Sequence, residues 1–600
     1  MLSSSNLILD PPFSALLSVF IFLGLKKIAD MLAMKIYAIN EKLVNFLFFI
    51  TVIAISTSIL FVLSWLLGIN IFILKIIAYG VSILGIFKSY QIWKNIHFNS
   101  IIEAYFISQP ISVRVSYVIS FLILIGLFLT SVSPPTDGDS LGYHLGAPLE
   151  YLRNLSLQPR YDWLQYRLPG LGEIINMFGL AAGTDNLGAI FQFMSLFLLL
   201  RALKSYIPKS TQHLFFLLLL ASPVIVFLVP SQKPQLFPAV IIAVVALFLN
   251  HNRDKLTNST IFLMSSGLFF SMASKYSFYL PAAVIFIGIT YYIFKSERKL
   301  QKIFLILVAY LIILFPNHLY KFIYYGNPVS PILASFFNEP EHVSRFATML
   351  KTYYDSKFIF PLNFLLPDSL GRFTAAIGVG VLFAIFGVLK RIKLDSFLII
   401  TTLVIALLYY FSGARCSRYY FEVYVLLAFI AVQIPYSKLI AWFEKVLILQ
   451  MLGVLLVVFF GVYNLFPGAL TQNLRVQVLE KNADYYTSLS WMNSVLPDDA
   501  IIFTTFRVGY LSERKFFHED IIRYSNFKEI DEALFAKRMV KEAKITHVIT
   551  PYPVSEKLME NMGIDNYELM EPPQSFYHGV RNPFNRGNSF ELAIYKVTIN

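Results

Sequence analysis

The stretch SVRVSYVISFLILIGLFLTSVSPPTDGDSLGYHLGAPLEYLR, Ser112 to Arg153, runs without interruption from membrane-like sequence into a polar lip. Its first part, to about Val132, is apolar and long enough to cross about 30 Å of hydrocarbon. The second part, from Ser133, places Asp137, Asp139, Tyr143 and His144 directly at the end of that run. Outward from this point, similar apolar segments recur from the N-terminal region to about residue 466, and hydropathy separates about fourteen of them.

Composition agrees with a polytopic helical membrane protein. Hydrophobic residues make up 57% of the 600 and charged residues only 14%, with a mean hydropathy of +0.64. The first apolar run, Phe13 to Leu25, has no basic segment before it and no small-residue cleavage site after it, so it reads as a retained helix and not a signal peptide. The formal charge of +13 and pI near 9.3 do not indicate nucleic acid, because no basic run is interleaved with stacking aromatics. Cys416 is the single cysteine, which excludes an internal disulfide and any cysteine-based metal site.

The positive charge falls in alternate loops, which fixes an expected orientation. Lys26 and Lys27, Lys88 and Lys94, Arg201 and Lys204, Arg253 and Lys255, Arg298 and Lys299, Lys390 and Arg391, and Lys438 and Lys445 mark the cytoplasmic side. The segments 133–186, 230–234, the turn at Lys275, 325–372, 413–418 and everything after Phe466 then face outward. Both termini come out external. Three domains are expected: an N-terminal three-helix segment (1–111), a membrane core (112–466) with a long outer loop at 133–186 and a late one at 325–372, and an external soluble domain (467–600). In the last, Ile501–Thr504 and His547–Thr550 read as buried strands around a helix at Lys528–Ala543, closed by Phe590–Val597, which suggests a small α/β unit. It has no glycine-rich phosphate loop and no metal-ligand cluster.

The loop 133–186 is too long for a connector and too apolar for a disordered linker. Leu141, Leu145, Leu149 and Leu152 recur at helical spacing, so a helix lying in the membrane interface is expected, capped by Asp139 or Ser140 and kinked by Pro148. A second amphipathic helix is expected at Leu171–Leu180, with Tyr161, Trp163 and Tyr166 as interfacial anchors. Local pattern alone favours a plain structural account of the acids, with Asp139 a helix cap and Asp137 part of a turn. Their place at the boundary between water and hydrocarbon equally suits a general base meeting a lipid-borne substrate. His144 reads either as a hydrogen-bonded structural residue or as a group that orients Asp139.

At these residues the sequence resembles the GT-C superfamily of polytopic glycosyltransferases, which includes protein O-mannosyltransferases and lipid A aminoarabinose transferases. Members carry an acidic residue early in the first large external loop, often followed four residues later by Tyr; here Asp139 and Tyr143 have that spacing, and His144 extends it to DxxxYH. SKY at 274–276, YGNPVSP at 325–331, RYYFE at 418–422 and the terminal soluble domain agree in order. The resemblance covers the chain from about Ser112 and implies inverting transfer of a sugar from a polyprenyl-phosphate donor to an acceptor outside the bacterial cytoplasmic membrane. Asp139 is then the base, with Asp137 and His144 assisting. Tyr143 completes the motif. Arg415 and Arg418 in the outward turn GARCSR, with Lys233 and Lys275 in two others, are candidates to bind the phosphate, although the two lysines read equally well as snorkelling residues on helix ends.

Two departures from the family pattern stand out. The catalytic loop follows the fourth helix and not the first, so residues 1–111 look added. Relatives often carry a second acid in the turn matching SQKPQLF at 231–237, where this chain has Lys233 and Gln235. A metal bridging two carboxylates is therefore not supported, and no cofactor is expected. The competing readings are a flippase for lipid-linked sugars, a lipid-linked glycan ligase or polymerase, and a non-enzymatic sensor.

Overall fold

The structure is a computed structural model, and it describes residues 4–36, 42–95, 109–353, 356–391, 396–435, 437–506, 509–577 and 589–598. The expected boundary near Ile111 adjoins residues 96–108, and the first residues of the chain, whose side was expected to be external, also lie outside that set.

The apolar segments are helical throughout. Among the described residues, eight helices are long and apolar enough to cross a membrane, or nine if the bent pair Lys299–Ile313 and Phe315–Tyr325 forms one span. The remaining apolar segments also form helices: Phe13–Ile36, of 24 residues, and the shorter Asn258–Ser274, Ser396–Phe411, Phe421–Ala431, and Gln212–Leu220 with Val224–Leu228, which Pro223 separates. A helix apolar on every face belongs inside the bundle. Leu236–Asn252 is of this kind, buried along nearly its whole length, whereas Ile71–Lys94 and Lys438–Leu465 expose leucine, isoleucine and phenylalanine as lipid-facing helices do.

The N-terminal helix Phe13–Ile36 packs backbone to backbone on Ile71–Lys94. A Cβ on Gly24 would stand 1.9 Å from the carbonyl oxygen of Val81, and one on Gly85 would stand 1.9 Å from that of Phe20. Small residues of this kind let membrane helices approach where hydrophobicity gives no net attraction. Lys26 and Lys88, which charge alternation assigns to one side, both pair with Asp30, Lys88 at 2.9 Å.

Seven helices frame the site: α1 (Ile111–Ser131), α2 (Gly146–Asn154), α3 (Leu171–Ala182), α4 (Val224–Leu228), α5 (Asn258–Ser274), α6 (Phe315–Tyr325) and α7 (Lys438–Leu465). The C-terminal region adds a five-stranded sheet in the order β2-β1-β3-β5-β4, built from β1 (Ile501–Thr504), β2 (Lys515–His518), β3 (His547–Pro551), β4 (Asn566–Tyr577) and β5 (Ser589–Thr598). β1 is parallel to β2 and β3, which requires a crossover, and the helix Ile530–Ala543 supplies one between β2 and β3. β5 returns antiparallel to β3 and β4.

This sheet domain is packed onto the loop 133–186, which corrects several expectations. Trp163 is buried beneath it, stacked on His518 with ring centroids 5.4 Å apart, and Tyr166 is buried against Tyr151 and Trp163; of the three, only Tyr161 is exposed. An aromatic residue satisfies a protein interface as well as a bilayer interface, so sequence alone does not separate the two. Asp520 accepts the backbone N–H of Leu164 at 2.8 Å, and Asp162 accepts that of His518 at 3.0 Å. Leu141, Leu145, Leu149 and Leu152 are all buried, so α2 is an internal strut and not an interfacial helix. Pro148 does not kink it, because it occupies the first turn, where no N–H is needed. The helix expected at Leu171–Leu180 forms as α3, but it is buried on nearly every face.

Asp185 is the buried pin of this contact. It accepts hydrogen bonds from Arg475 at 2.5 Å and from the Tyr510 hydroxyl at 2.8 Å. Asp185→Ala leaves a buried guanidinium without its carboxylate, an arrangement that costs about 3–5 kcal/mol. The expected result is faster proteolytic cleavage between the membrane core and the sheet domain, measured by limited trypsin digestion; unchanged cleavage would show that the pin carries no stability.

Candidate active site

The polar lip is built around a wide turn. After α1 ends, Asp137 accepts the backbone N–H of Ser140 at 2.9 Å, so Asp137 is the cap and Asp139 is not. The following turn, Ser140–His144, closes with Leu145 donating to the Ser140 carbonyl five residues back, a wider step than an α-helix makes. Such turns recur at functional sites.

With capping left to Asp137, the carboxylate of Asp139 reaches the turn at 231–235, where the ammonium of Lys233 lies 2.6 Å from Asp139 Oδ2 and 3.9 Å from Asp137 Oδ1. That turn is tied to the lip by neutral bonds. Gln232 donates its N–H to Ser140 Oγ at 3.0 Å, and Asn176 donates to the carbonyls of both His144 and Gln232, at 2.9 and 3.0 Å. Lys233 is almost fully buried, while Asp139 keeps 29% of its side chain exposed. The acid is the reachable member of the pair.

Two further cations share this neighbourhood. Lys233 Nζ stands 4.2 Å from the Phe227 ring centroid, and the Arg418 guanidinium stands 5.5 Å from the same ring and 5.5 Å from that of Tyr353. Lys275, at the end of α5, lies close enough to Arg418, Lys233, Glu173 and Asp139 for their charges to act on it. Burial, with Arg418 and Lys233 adding repulsion, pushes its ammonium down to about 7. The side chain is only half-buried, so it is enclosed by protein yet reachable. Arg415, by contrast, is exposed and makes no ion pair among the described residues; its backbone carbonyl accepts Asn363, and its side chain is not brought into the cluster.

His144 pairs with a residue that sequence reasoning missed. Its Nδ1 lies 2.8 Å from Glu173 Oε1 in α3, both side chains being buried. Burial holds the imidazole below its usual range despite the carboxylate, so it is neutral and Nδ1–H donates to Glu173. His144 Nε2 is left as a buried acceptor with no protein partner. Glu173 Oε2 meanwhile accepts the N–H of Gly170 at 2.8 Å. The one signal for Glu173 was an acid inside an otherwise apolar helix. The Tyr143 hydroxyl is pushed well up by burial and by Asp139 and Glu173, so it remains a proton donor. Among the described residues, no three His, Cys, Asp or Glu side chains group as metal ligands.

Phe227 also lines an apolar groove between α1, α4 and α7, with Leu127, Thr130, Thr374, Val458 and Leu465. Leu456 and Phe459, beside it on α7, are exposed. Phe227 is thus shared between this groove and the two cations, Lys233 and Arg418.

The family described as DUF1420 N-terminal domain matches residues 13–479, and the one described as DUF1420 C-terminal domain matches residues 480–600. No curated protein matches the chain in sequence. Among solved structures, ArnT from Cupriavidus metallidurans bound to undecaprenyl phosphate is similar at 9% identity, over 80% of this chain and 97% of that one, with a TM-score of 0.47. Its apo state gives 10%, 79%, 97% and 0.46. The archaeal oligosaccharyltransferase AglB from Archaeoglobus fulgidus, in complex with an inhibitory peptide and a dolichol-phosphate, is similar at 12% identity over 72% of this chain and 69% of that one, with a TM-score of 0.37. At these values the likeness assigns no residue, ligand or reaction to this chain.

Proposed function

The chain belongs to the DUF1420 family, and from the geometry of its polar lip we propose that it is an inverting membrane glycosyltransferase that uses a polyprenyl-phosphate sugar and an acceptor outside the cytoplasmic membrane. One observation carries the reading: a reachable carboxylate, Asp139, stands in one cluster with Lys233, Lys275 and Arg418, and Phe227, which lies beneath Lys233 and Arg418, also lines an apolar groove. That combination suits a substrate with an apolar tail, an anionic head and a reacting centre just beyond it. The DxxxYH resemblance supports the same assignment.

In this reading the tail lies in the groove and the phosphate meets Arg418 and Lys275. Guanidinium suits phosphate geometry, and a lysine adds a point charge. Lys233, paired with Asp139 in the free protein, turns its ammonium toward the arriving anion and frees the carboxylate. Asp139 then takes the proton of the acceptor hydroxyl as the hydroxyl oxygen bonds to the anomeric carbon. The bond from that carbon to the phosphate oxygen breaks, its electron pair leaves with the polyprenyl phosphate, and the anomeric configuration inverts. Tyr143 and the His144–Glu173 pair hold the loop, with His144 Nε2 available to accept from a sugar hydroxyl. Asp137 fixes the turn.

A flippase is the alternative with different chemistry. Transporters place ionisable groups near the bilayer midplane, whereas this cluster lies at the helix ends. Purified protein in nanodiscs, given a panel of radiolabelled polyprenyl-phosphate sugars, is expected to release polyprenyl phosphate in equal amount to new glycoside. Carrier movement across vesicles without any glycosidic product would contradict the transferase reading.

A further inference from the structure

The wide turn that follows Asp139 is not held by the membrane core alone. In an α-helix the carbonyl of Leu141 would accept the N–H of residue 145, four positions on. Here Leu145 donates to the Ser140 carbonyl at 3.0 Å, and the Leu141 carbonyl accepts the N–H of Tyr510, also at 3.0 Å. Leu141 is buried, and a buried carbonyl left unpaired loses its hydration without return, so the wide register needs another donor. Tyr510, between β1 and β2, is that donor, and its hydroxyl is anchored on Asp185 at 2.8 Å.

The residue before Tyr510 brings the two backbones together. A Cβ on Gly509 would stand 2.5 Å from the Gly142 carbonyl oxygen, 2.7 Å from the Trp163 ring and 3.2 Å from the Gly146 Cα. Any larger residue there must move one backbone or the other. A second piece of the C-terminal region grips the entrance to the turn. Asp484 donates its N–H to the Thr136 carbonyl at 3.2 Å, and its carboxylate occupies the place that a Cβ on Gly138 would take. Thr136, Gly138, Leu141 and Gly142 are thus all held from the C-terminal region. Asp139 stands among them, with 29% of its side chain exposed.

Resting on the transferase reading above, we propose that the sheet domain is part of the active site: Gly509 and Tyr510 are positioning residues that hold Ser140–His144 in its wide register and so set the aim of Asp139. The two registers differ by one residue. An α-helix turns by about 100° per residue, so closing the turn to the tighter register rotates Asp139 by about that angle relative to α2. A rotation of that size takes the carboxylate away from Lys233, which lies on a separate element. Neither Gly509 nor Tyr510 has to touch substrate, because the effect runs through the backbone of the turn. Lys275 and Arg418 lie outside the turn, so their hold on a phosphate is independent of it.

Gly509→Val and the smaller Gly509→Ala, made in the full chain in nanodiscs, wedge the two backbones apart and alter no group at the reacting centre. Three quantities are read: kcat with a polyprenyl-phosphate sugar, donor KM, and hydrogen exchange of the amides 138–146 by mass spectrometry. In Gly509→Val, kcat is expected to fall by up to about 10²-fold, the loss that a misplacement of about 1 Å produces; in Gly509→Ala it falls less. Donor KM is expected to stay level. Exchange at 138–146 is expected to rise while β1 and β3 keep their protection, and thermal melting shows that the chain is folded. A merely structural contact would instead lower the melting temperature and the protection of β1 and β3, with kcat per folded molecule unchanged, and that result overturns the proposal. So does wild-type kcat in folded Gly509→Val, and so does a matching rise in donor KM, which places the defect in donor binding. Failure of Gly509→Ala to fold makes the contact a folding element and overturns it as well. If the wild-type chain transfers sugar from no donor, the transferase reading itself fails; unaltered exchange at 138–146 in Gly509→Val overturns the positioning claim whether or not transfer is seen.

Discussion

Asp139→Asn is expected to lower the rate of sugar transfer by about 10³-fold, within the 10²–10⁴ that a positioned general base contributes. The amide has nearly the shape of the carboxylate but no capacity to take a proton. Folding survives because the cap at the start of the Ser140–His144 turn belongs to Asp137, and Lys233 keeps that second acid at 3.9 Å. The loss should appear in kcat. Donor affinity should stay level or improve, since Lys233 no longer has Asp139 to compete with the phosphate. Steady-state kinetics on the purified variant measure both quantities. A folded Asp139→Asn protein with undiminished kcat would remove Asp139 from the chemistry. Asp137→Ala supplies the contrast: it removes the oxygen that accepts the Ser140 N–H, at about 1 kcal/mol, and should reduce stability more than turnover.

The second large effect is a pH dependence centred on Lys275. In the free protein its ammonium titrates near 7, pushed down chiefly by burial and then by Arg418 and Lys233. The charged form that binds phosphate is present below that value and is lost above it, while a bound anion raises the value again. Donor KM is therefore expected to rise as pH increases from 7, by up to about tenfold per unit. Lys275→Arg keeps its charge throughout and should flatten the profile. Stability moves the other way. The unfolded chain holds this proton up to about 10.4, and the folded chain releases it near 7, so the cost of enclosing the cation is greatest at and below neutral pH. Lys275→Met should accordingly melt a few degrees higher at pH 6 while losing donor affinity, the usual conflict between stability and a functional site. A donor KM that is flat from pH 6 to 9 in the wild-type protein would contradict this role.

Much of this architecture follows from local pattern. Long apolar runs become helices because hydrocarbon leaves the backbone no other partner, and the lip at 133–153 stands out because polar groups there follow directly on such a run. The parts that were not legible depend on distant pairing. Lys233 read as a phosphate ligand or a snorkelling residue, and nothing near it in sequence indicates that Asp139 is its partner. Glu173 looked like one acid in a helix until His144 was set against it. Trp163 and Tyr166 carry the aromatic pattern of a bilayer interface, and only their burial, Trp163 against the docked sheet and Tyr166 against Tyr151, shows that they face protein. β2 is four residues long, and β4 is exposed along most of its length, so neither has the buried alternation that identified β1 and β3. Arg415 and Arg418 share one turn, but only Arg418 points to the cluster.

The most direct measurement is a density map of the full protein with polyprenyl phosphate bound. The phosphate is expected between Lys275 and Arg418, beside Asp139, with Lys233 drawn toward it and the tail leaving along the groove between α1 and α7. A phosphate seated at the opposite helix ends, near Lys390 and Lys438, or a tail outside that groove, would contradict the account.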